Sequence, residues 1–346
     1  MIKFPHISLL RNVMEYIEHV NTDPQVPSQY RIDKPVSFKG SIKLHGSNCG
    51  VVWDREAGTF QAQTREADLT PTEDYKGFAK FVLEHRDAIR DLILDRIQPS
   101  PDVRQVILYG EWVGAGVVAK PKGVAVAKFD PKHWALFSVF VRDDQETEPR
   151  NVSYVLADLP ATLSDRIGNV HAVGKDWHLT IDFSDPASVK AGTAQVATWT
   201  KELEKQCPYG ACYGLTGPGE GIVWLPIGDF YGREDLYWKY KTAAHSVVME
   251  TKVQQDRPAL ADDVQAAIRD FVDTTVTENR LEQGIDTLEQ QGLTPEKRNT
   301  GHYLKWLTED VRRECVLELK NSGLSWEQVS GAVTTRAREY FLAPRS

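Results

Sequence analysis

The sequence predicts an α+β fold: a domain of antiparallel sheets with inserted helices, followed by a small all-helical domain. Three observations carry this. Strand patterns recur from about Tyr30 to Lys241, with helical stretches inserted between them. After His245 strand signals vanish, and apolar residues return only at helical spacing. The chain is 346 residues long, with 41% hydrophobic and 26% charged residues, which suits an ordinary globular protein of two domains. The expected division is residues 1–248 and 249–346.

The elements follow in order. Leu9, Leu10, Val13, Met14, Ile17 and Val20 lie on one face of a helix over 8–20, with Ser8 as its N-cap and Pro24 and Pro27 beyond its end. Tyr30 to Trp53 reads as strands. Residues 77–97 read as one helix through Phe78, Phe81, Val82, Ile89, Leu92 and Ile93. Strands are expected over Val106–Trp112, Trp134–Val141, Ile222–Leu225 and Leu236–Tyr240, and a helix over 192–205. In the second domain Val264, Ala267, Ile268, Phe271 and Val272 mark a helix, Glu278–Gln290 a second, and Pro295–Lys320 a third. Thr294 and Pro295 suit that third helix's start, and Gly323 its end. Ser325-Trp326-Glu327-Gln328 is a capping box opening a last helix to about Phe341.

Bulk properties narrow the function. No apolar run approaches a membrane span and no signal pattern opens the chain, so an intracellular, cytoplasmic protein is expected, with no membrane partner. The four cysteines (Cys49, Cys207, Cys212, Cys315) lack zinc-ligand spacing, and reduced thiols are expected. The net charge is −8, yet local basic sets exist: Lys120, Lys122, Lys128, Lys132 and His133, then Arg312, Arg313, Lys320, Arg336 and Arg338. Each is either a phosphate-binding surface or a solvated face. There is no Walker-type loop, no Rossmann fingerprint and no His-Glu-x-x-His pair. His171 and His178 lie near Asp176 and Asp182, at a spacing that is not diagnostic of a metal site.

The densest chemistry is Lys43-Leu44-His45-Gly46-Ser47-Asn48, at a corner between two apolar segments. A lysine there acts as a nucleophile if its amine is kept unprotonated; otherwise it is a solvated lysine beside a turn. Five patches follow in fixed order: Gln63-Thr64-Arg65, Leu108-Tyr109-Gly110-Glu111-Trp112-Val113-Gly114, Leu136-Phe137-Ser138-Val139-Phe140, Gly219-Glu220-Gly221-Ile222-Val223, and Tyr237-Trp238-Lys239-Tyr240-Lys241. Their order and spacing resemble the covalent nucleotidyltransferases, the superfamily of DNA ligases, RNA ligases and messenger-RNA capping enzymes. The resemblance spans roughly residues 36–245. Most DNA ligases and capping enzymes carry Lys-x-Asp-Gly in the first patch. His45, Gly46 and Asn48 instead resemble the nick-sealing class of bacteriophage RNA ligases, the RNA ligase 2 class, whose C-terminal domain is also helical. Thr277-Glu278-Asn279-Arg280-Leu281 resembles a short segment of that domain.

The resemblance implies an adenylyltransferase domain and a chemistry. Lys43 would attack the α-phosphate of ATP and expel pyrophosphate. The AMP would pass to an RNA 5′-phosphate, and a 3′-hydroxyl would then displace it. A free lysine has a pKa of about 10.4, so burial and nearby positive charge from Lys239, Lys241 and a metal are expected to hold Lys43 uncharged. Lys239 and Lys241 alternate along a strand and point to one face, suited to gripping a phosphate chain. Glu220 is the expected ligand of Mg²⁺ (or Mn²⁺). Glu111 would accept from the ribose, and Phe137 or Phe140 would offer a flat face to adenine. Leu44 would line the nucleotide. Arg65 would reach the nucleotide or the RNA phosphate with its two-pronged guanidinium. His45 and Asn48 would act when the RNA 5′-phosphate is engaged, His45 without the negative charge of an aspartate. Asn48, Arg65, Lys120 and Lys122 are the expected RNA contacts. The partner would be RNA with 3′-hydroxyl and 5′-phosphate ends in a nicked duplex, and the protein a monomer. The helical domain would engage the RNA end.

Two departures stand out. Many relatives carry a lysine after the Glu220 patch, where this chain has Trp224-Leu225. Residues 142–183 match no motif that can be placed and are long enough to be an insertion that shapes an RNA groove. The alternatives are a DNA ligase or capping-type transferase, and a catalytically inactive nucleic-acid-binding relative.

Overall fold

The computed structural model describes residues 1–146, 148–173, 177–246 and 261–344. Its contacts divide the chain into two compact units, Met1–Ala244 and His245–Ser346. The expected boundary at 248/249 lies outside the described residues.

The first unit holds eleven strands among the described residues: β1 (Ser8–Leu9), β2 (Val36–Lys43), β3 (Ser47–Asp54), β4 (Thr59–Thr64), β5 (Val103–Val113), β6 (His133–Asp143), β7 (Arg150–Asn151), β8 (Ile167–Asn169), β9 (His178–Ile181), β10 (Gly221–Pro226) and β11 (Trp238–Lys241). They form two largely antiparallel sheets. One has the order β1-β11-β10-β2-β9 and the other β4-β3-β5-β6-β7, with β8 alongside β6. Helices α1 (Leu10–Thr22), α2 (Phe78–Glu84), α3 (Arg86–Asp91), α4 (Pro186–Leu203) and α5 (Pro208–Cys212) are inserted between strands. The mixed α+β class is as the sequence predicts.

In the first sheet, β2 alternates strictly: Val36, Phe38, Gly40 and Ile42 are buried, while Ser37, Lys39, Ser41 and Lys43 are only partly covered. Side chains two apart share a face. The apolar face packs with Leu10, Val13 and Ile17 of α1 and Val196 and Leu203 of α4. Trp224 is stacked between Trp199 and Trp238, at centroid distances of 5.6 and 5.3 Å. Each such aromatic pair contributes about 0.5–1.5 kcal/mol beyond burial. Anchoring one face this way leaves the other, with its lysines, free to build a site. Trp224 lies on the packed face, whereas Leu225, opposite Lys39, shares the lysine face.

The structure redraws several expected elements. Ser8 is not a helix cap: it pairs in parallel with Trp238, and α1 begins at Leu10. The helix expected over 77–97 is broken at His85, whose ring stacks on Phe81 at 4.4 Å, and its last turn, Leu92–Ile97, is a π-helix. Helix α4 starts earlier than expected, because Asp185 caps it and Pro186 occupies its first turn. Residues 142–183 supply β7, β8 and β9, which extend both sheets. Trp177 packs against Gly40, where an added Cβ would lie 2.9 Å from the Trp177 Cβ.

The second unit contains, among the described residues, α6 (Ala261–Thr275), α7 (Glu278–Gln290), α8 (Thr300–Glu314), α9 (Val316–Ser322) and α10 (Trp326–Leu342). Phe271, Leu281, Leu288, Tyr303, Leu307, Val311, Val333 and Phe341 are buried. The single helix expected over 295–320 is two helices that meet at Cys315, and it does not start at Pro295. The Thr294 hydroxyl bonds Glu296 and its carbonyl accepts from Asn299, which makes a turn before α8. Gly323 closes α9 in the left-handed conformation, and the capping box at Ser325 and Gln328 is formed.

Candidate active site

The site forms where the chain crosses from one sheet to the other. Lys43 is the last residue of β2 and Ser47 the first of β3, so Leu44-His45-Gly46 is the crossover itself. Leu44 is buried in the core and anchors the turn. Gly46 must be glycine: an added Cβ would lie 2.3 Å from the Trp112 carbonyl oxygen. Its N–H donates to Glu111 Oε1 at 3.0 Å, so the turn and β5 are tied together. The Ser47 hydroxyl hydrogen-bonds that of Tyr75 at 2.8 Å on the opposite face.

The strand register gathers the charged residues. Gly221 lies opposite both Lys43 and Lys241, and Val223 lies opposite both Ser41 and Lys239. Lys43, Lys239 and Lys241 therefore share one face, with side-chain-free Gly221 between two of them. Glu220, just before β10, is 4% exposed and bridges the pair: Oε2 is 2.9 Å from Lys43 Nζ and Oε1 is 3.0 Å from Lys241 Nζ. His45 Nδ1 lies 3.9 Å from Glu220 Oε2, and its Nε2 is 3.2 Å from the Lys120 carbonyl oxygen. On the facing sheet, Asn48, Glu111 and Ala135 are opposite one another and share a face.

Burial and neighbouring charge act against each other in this site. Burial alone lowers the Lys43 pKa, but the carboxylates of Glu220 and Glu111 outweigh it and hold the amine above its ordinary value. The ion pair with Glu220 thus favours the ammonium form of Lys43. Glu220 stands between Lys43 and Lys241, a placement that residue order along the chain does not show. Burial pushes Glu111 up to about 7 against the opposing pull of Lys43. His45 is lowered by burial and so is neutral near pH 7.

The remaining candidates are placed less centrally. Arg65 is near enough to Lys43 to lower its pKa. Lys120 offers its carbonyl to His45, while Lys122 Nζ reaches the Ala244 carbonyl oxygen at 3.5 Å. Phe137 on β6 packs against Phe4, Tyr109 and Phe140, and Tyr109 is two residues from Glu111 on β5, which puts the ring on the Glu111 side; it is partly buried, with Phe4 edge-on at 5.1 Å. Phe140 is 2% exposed within a cluster of Phe4, Ile107 and Tyr109, which makes it core and leaves Phe137 as the accessible ring. Sequence reasoning assigned no role to Gly46 or Gly221; two glycines flanking ionisable residues at strand ends were the available signal.

Among the described residues, no group of three or more His, Cys, Asp or Glu side chains converges to hold a metal. The carboxylate available is that of Glu220, with Glu111 nearby. That set suits a cation which takes one or two carboxylates and completes its shell with substrate phosphate oxygens and water. No helix among the described residues is long and apolar enough to cross a membrane.

Comparison with known proteins gives three findings. The search of curated proteins returns no match. Among solved structures, a Naegleria gruberi RNA ligase variant with ATP and Mn is similar at 13% identity and a TM-score of 0.42, over 70% of this chain and 56% of that one. An archaeal ATP-dependent RNA ligase is similar at 14% identity and a TM-score of 0.39, over 92% of this chain and 65% of that one. The chain thus spans less than two thirds of the length of either. The RNA ligase family profile matches residues 38–241, which runs from β2 through β11 and takes in every lysine of the site. With the greater part of its length covered by that profile, the chain belongs to the RNA ligase family.

Proposed function

We propose that the protein is an ATP-dependent RNA ligase of the nick-sealing class, which joins a 3′-hydroxyl to a 5′-phosphate through a lysyl-AMP on Lys43. The observation that supports this is the placement of Lys43 at the crossover between the sheets, paired with Glu220 at 2.9 Å and in one row with Lys241. First the Lys43 Nζ–phosphorus bond forms as the bond to pyrophosphate breaks, and pyrophosphate leaves with the electron pair. An oxygen of the RNA 5′-phosphate then takes the AMP and frees Lys43. Last, the 3′-oxygen attacks the activated phosphate and AMP leaves.

Before the first step Lys43 must lose a proton. Glu220 and Glu111 hold that proton on; burial, the largest single influence, works to remove it. Once Glu220 is engaged elsewhere, burial prevails and the neutral amine is favoured. A divalent cation, Mg²⁺ or Mn²⁺, would be held by Glu220 and supplies positive charge against the phosphate oxygens. Lys239 and Lys241 grip the phosphates from the same face. Glu111 accepts from the ribose, Phe137 faces the adenine, and Leu44 and Arg65 border the nucleotide. Neutral His45 and Asn48 meet the RNA 5′-phosphate. Asn48, Arg65, Lys120 and Lys122 contact RNA, and the second unit engages its ends through exposed Arg312, Lys320, Arg336 and Arg338.

The test uses α-labelled ATP and a divalent cation, followed by denaturation. Label stays on wild-type polypeptide and is absent from Lys43→Ala. An intact, folded wild type that never carries label ends the ligase reading in favour of a nucleic-acid binder. Sealing of RNA-terminated nicks in preference to DNA-terminated ones separates this reading from a DNA ligase.

A further inference from the structure

Residues 142–183 are the part of the first unit that the sequence left unplaced, and one side chain within them reaches the nucleotide face. The β5–β6 ladder is irregular: Tyr109 lies opposite Ser138 and Gly110 opposite Leu136, so Phe137 is an extra residue with no cross-strand partner. A bulge of this kind leaves its backbone outside the ladder and re-aims its side chain. A partly buried carbonyl outside the ladder lacks a strand donor and is satisfied from elsewhere or by water. Here a side chain supplies the donor. His171 Nε2 is 2.7 Å from the Phe137 carbonyl oxygen. A carbonyl only accepts, so the hydrogen is on Nε2 and that tautomer is set by the bond.

We propose that His171 is a positioning residue for the nucleotide site, its ring holding the bulge at Phe137 and so the aromatic face offered to the base. This rests on the ligase reading above. The backbone that carries the ring is itself held. Asn169, fully buried, donates to the Leu156 and Leu159 carbonyl oxygens at 2.8 and 3.0 Å, and its Oδ1 accepts from the His171 N–H at 3.0 Å. Asn169 lies opposite Leu136, the neighbour of Phe137, in the parallel β6–β8 pair. Burial, the largest influence, and Lys39 on the lysine face of β2 both lower the His171 pKa and keep the imidazole neutral against the hydrogen bond that raises it. On the far side Phe4 meets the Phe137 ring edge-on. His171 thus connects an element outside the family motifs to the strand that carries the base-facing ring. It touches no reacting atom.

The experiment compares wild type, His171→Ala and His171→Gln as full chains. The glutamine amide still offers an N–H of similar reach. In adenylylation against ATP concentration, His171→Ala is expected to raise KM by about tenfold, the loss that a misplaced stacking partner of ~1.4 kcal/mol produces. The maximal rate of adduct formation stays within about twofold, because Lys43 and Glu220 are untouched. His171→Gln restores KM. A His171→Ala protein with a lower melting temperature, a lower maximal rate and an unchanged KM overturns the proposal, since that is the mark of a merely structural histidine. If wild type forms no adduct, the ligase reading fails by itself. Equilibrium ATP binding to the same three proteins then decides the inference: tenfold weakening with glutamine rescue sustains it, and equal Kd values end it. Should His171→Ala not fold, His171→Asn, whose amide is too short to reach the carbonyl, takes its place.

Discussion

Residues 1–244 and 245–346 each bury a network of opposite charges, and the two networks are built for different ends. In the second unit Arg280 is fully buried, 2.8 Å from Asp310, which also meets Arg313 at 2.6 Å. In the first unit Glu220 lies between Lys43 and Lys241, whose side chains keep 22% and 12% of their exposure. Arginine does not give up its proton in a protein, and its planar fork suits a permanent pair. Lysine does give it up when its surroundings change. The arginine network fastens α7 to α8. The lysine network holds the proposed nucleophile, Lys43, in its charged form and leaves it partly exposed. A buried ion pair is therefore not informative until one asks whether either member can titrate.

The largest expected effect tests the structural half of that contrast. Arg280→Ala leaves Asp310 buried with a single partner and should destabilise the helical unit by about 3–5 kcal/mol, as breaking a buried pair does. Chemical denaturation reads this. Labelling of Lys43, whose ion-pair partner Glu220 belongs to the first unit, should persist. Loss of labelling in a protein that remains folded would show that the two networks do not act separately.

The functional half is tested by Glu220→Gln. With the carboxylate gone, Lys43 loses the main group that holds its proton, and the site loses the oxygen proposed to bind the metal. We expect the second loss to dominate, with adduct formation slowed about 100-fold, or ~2.7 kcal/mol in barrier. Rates measured across divalent-cation concentrations check this. A faster reaction near pH 7 would mean that Glu220 only restrains the lysine.

The smallest effect concerns Glu111, whose folded pKa is raised from 4.5 to about 7 by burial. Between those values the folded protein keeps a proton that the unfolded chain has released. The resulting stability is complete below the unfolded pKa and is lost as pH rises through about 7. The wild-type melting temperature should thus contain a component that falls over this window, and Glu111→Gln should remove it. Identical pH profiles for the two proteins would place Glu111 in a wetter setting than its contacts indicate.

Much of the site was legible in the chain. Lys43, Glu111, Glu220, Lys239 and Lys241 sit at strand ends or on strands whose apolar alternation is plain, and a period of two puts Lys239 and Lys241 on one face. What was not legible was the position of Glu220 between two of the lysines. A one-dimensional reading sees lysines near a lysine; only the β2–β10–β11 register inserts Glu220 between them. The helix breaks at His85 and Cys315 were equally hidden, because helical spacing continues across both. Thr294 and Pro295 had the chemistry of a helix start, and local bonds to Glu296 and Asn299 made a turn of them instead.

The sequence by itself determined the α+β class, the change to helices after His245, and the strand-end motif that holds the lysine, because these depend on short-range periodicity and on residue types within a few positions of one another. The tertiary structure alone decided that Leu44-His45-Gly46 crosses between two sheets, that residues 142–183 extend both of them, and that His171 meets the carbonyl of Phe137. Those contacts join residues far apart in the chain, and their partners are chosen by strand register and packing, which no local pattern encodes.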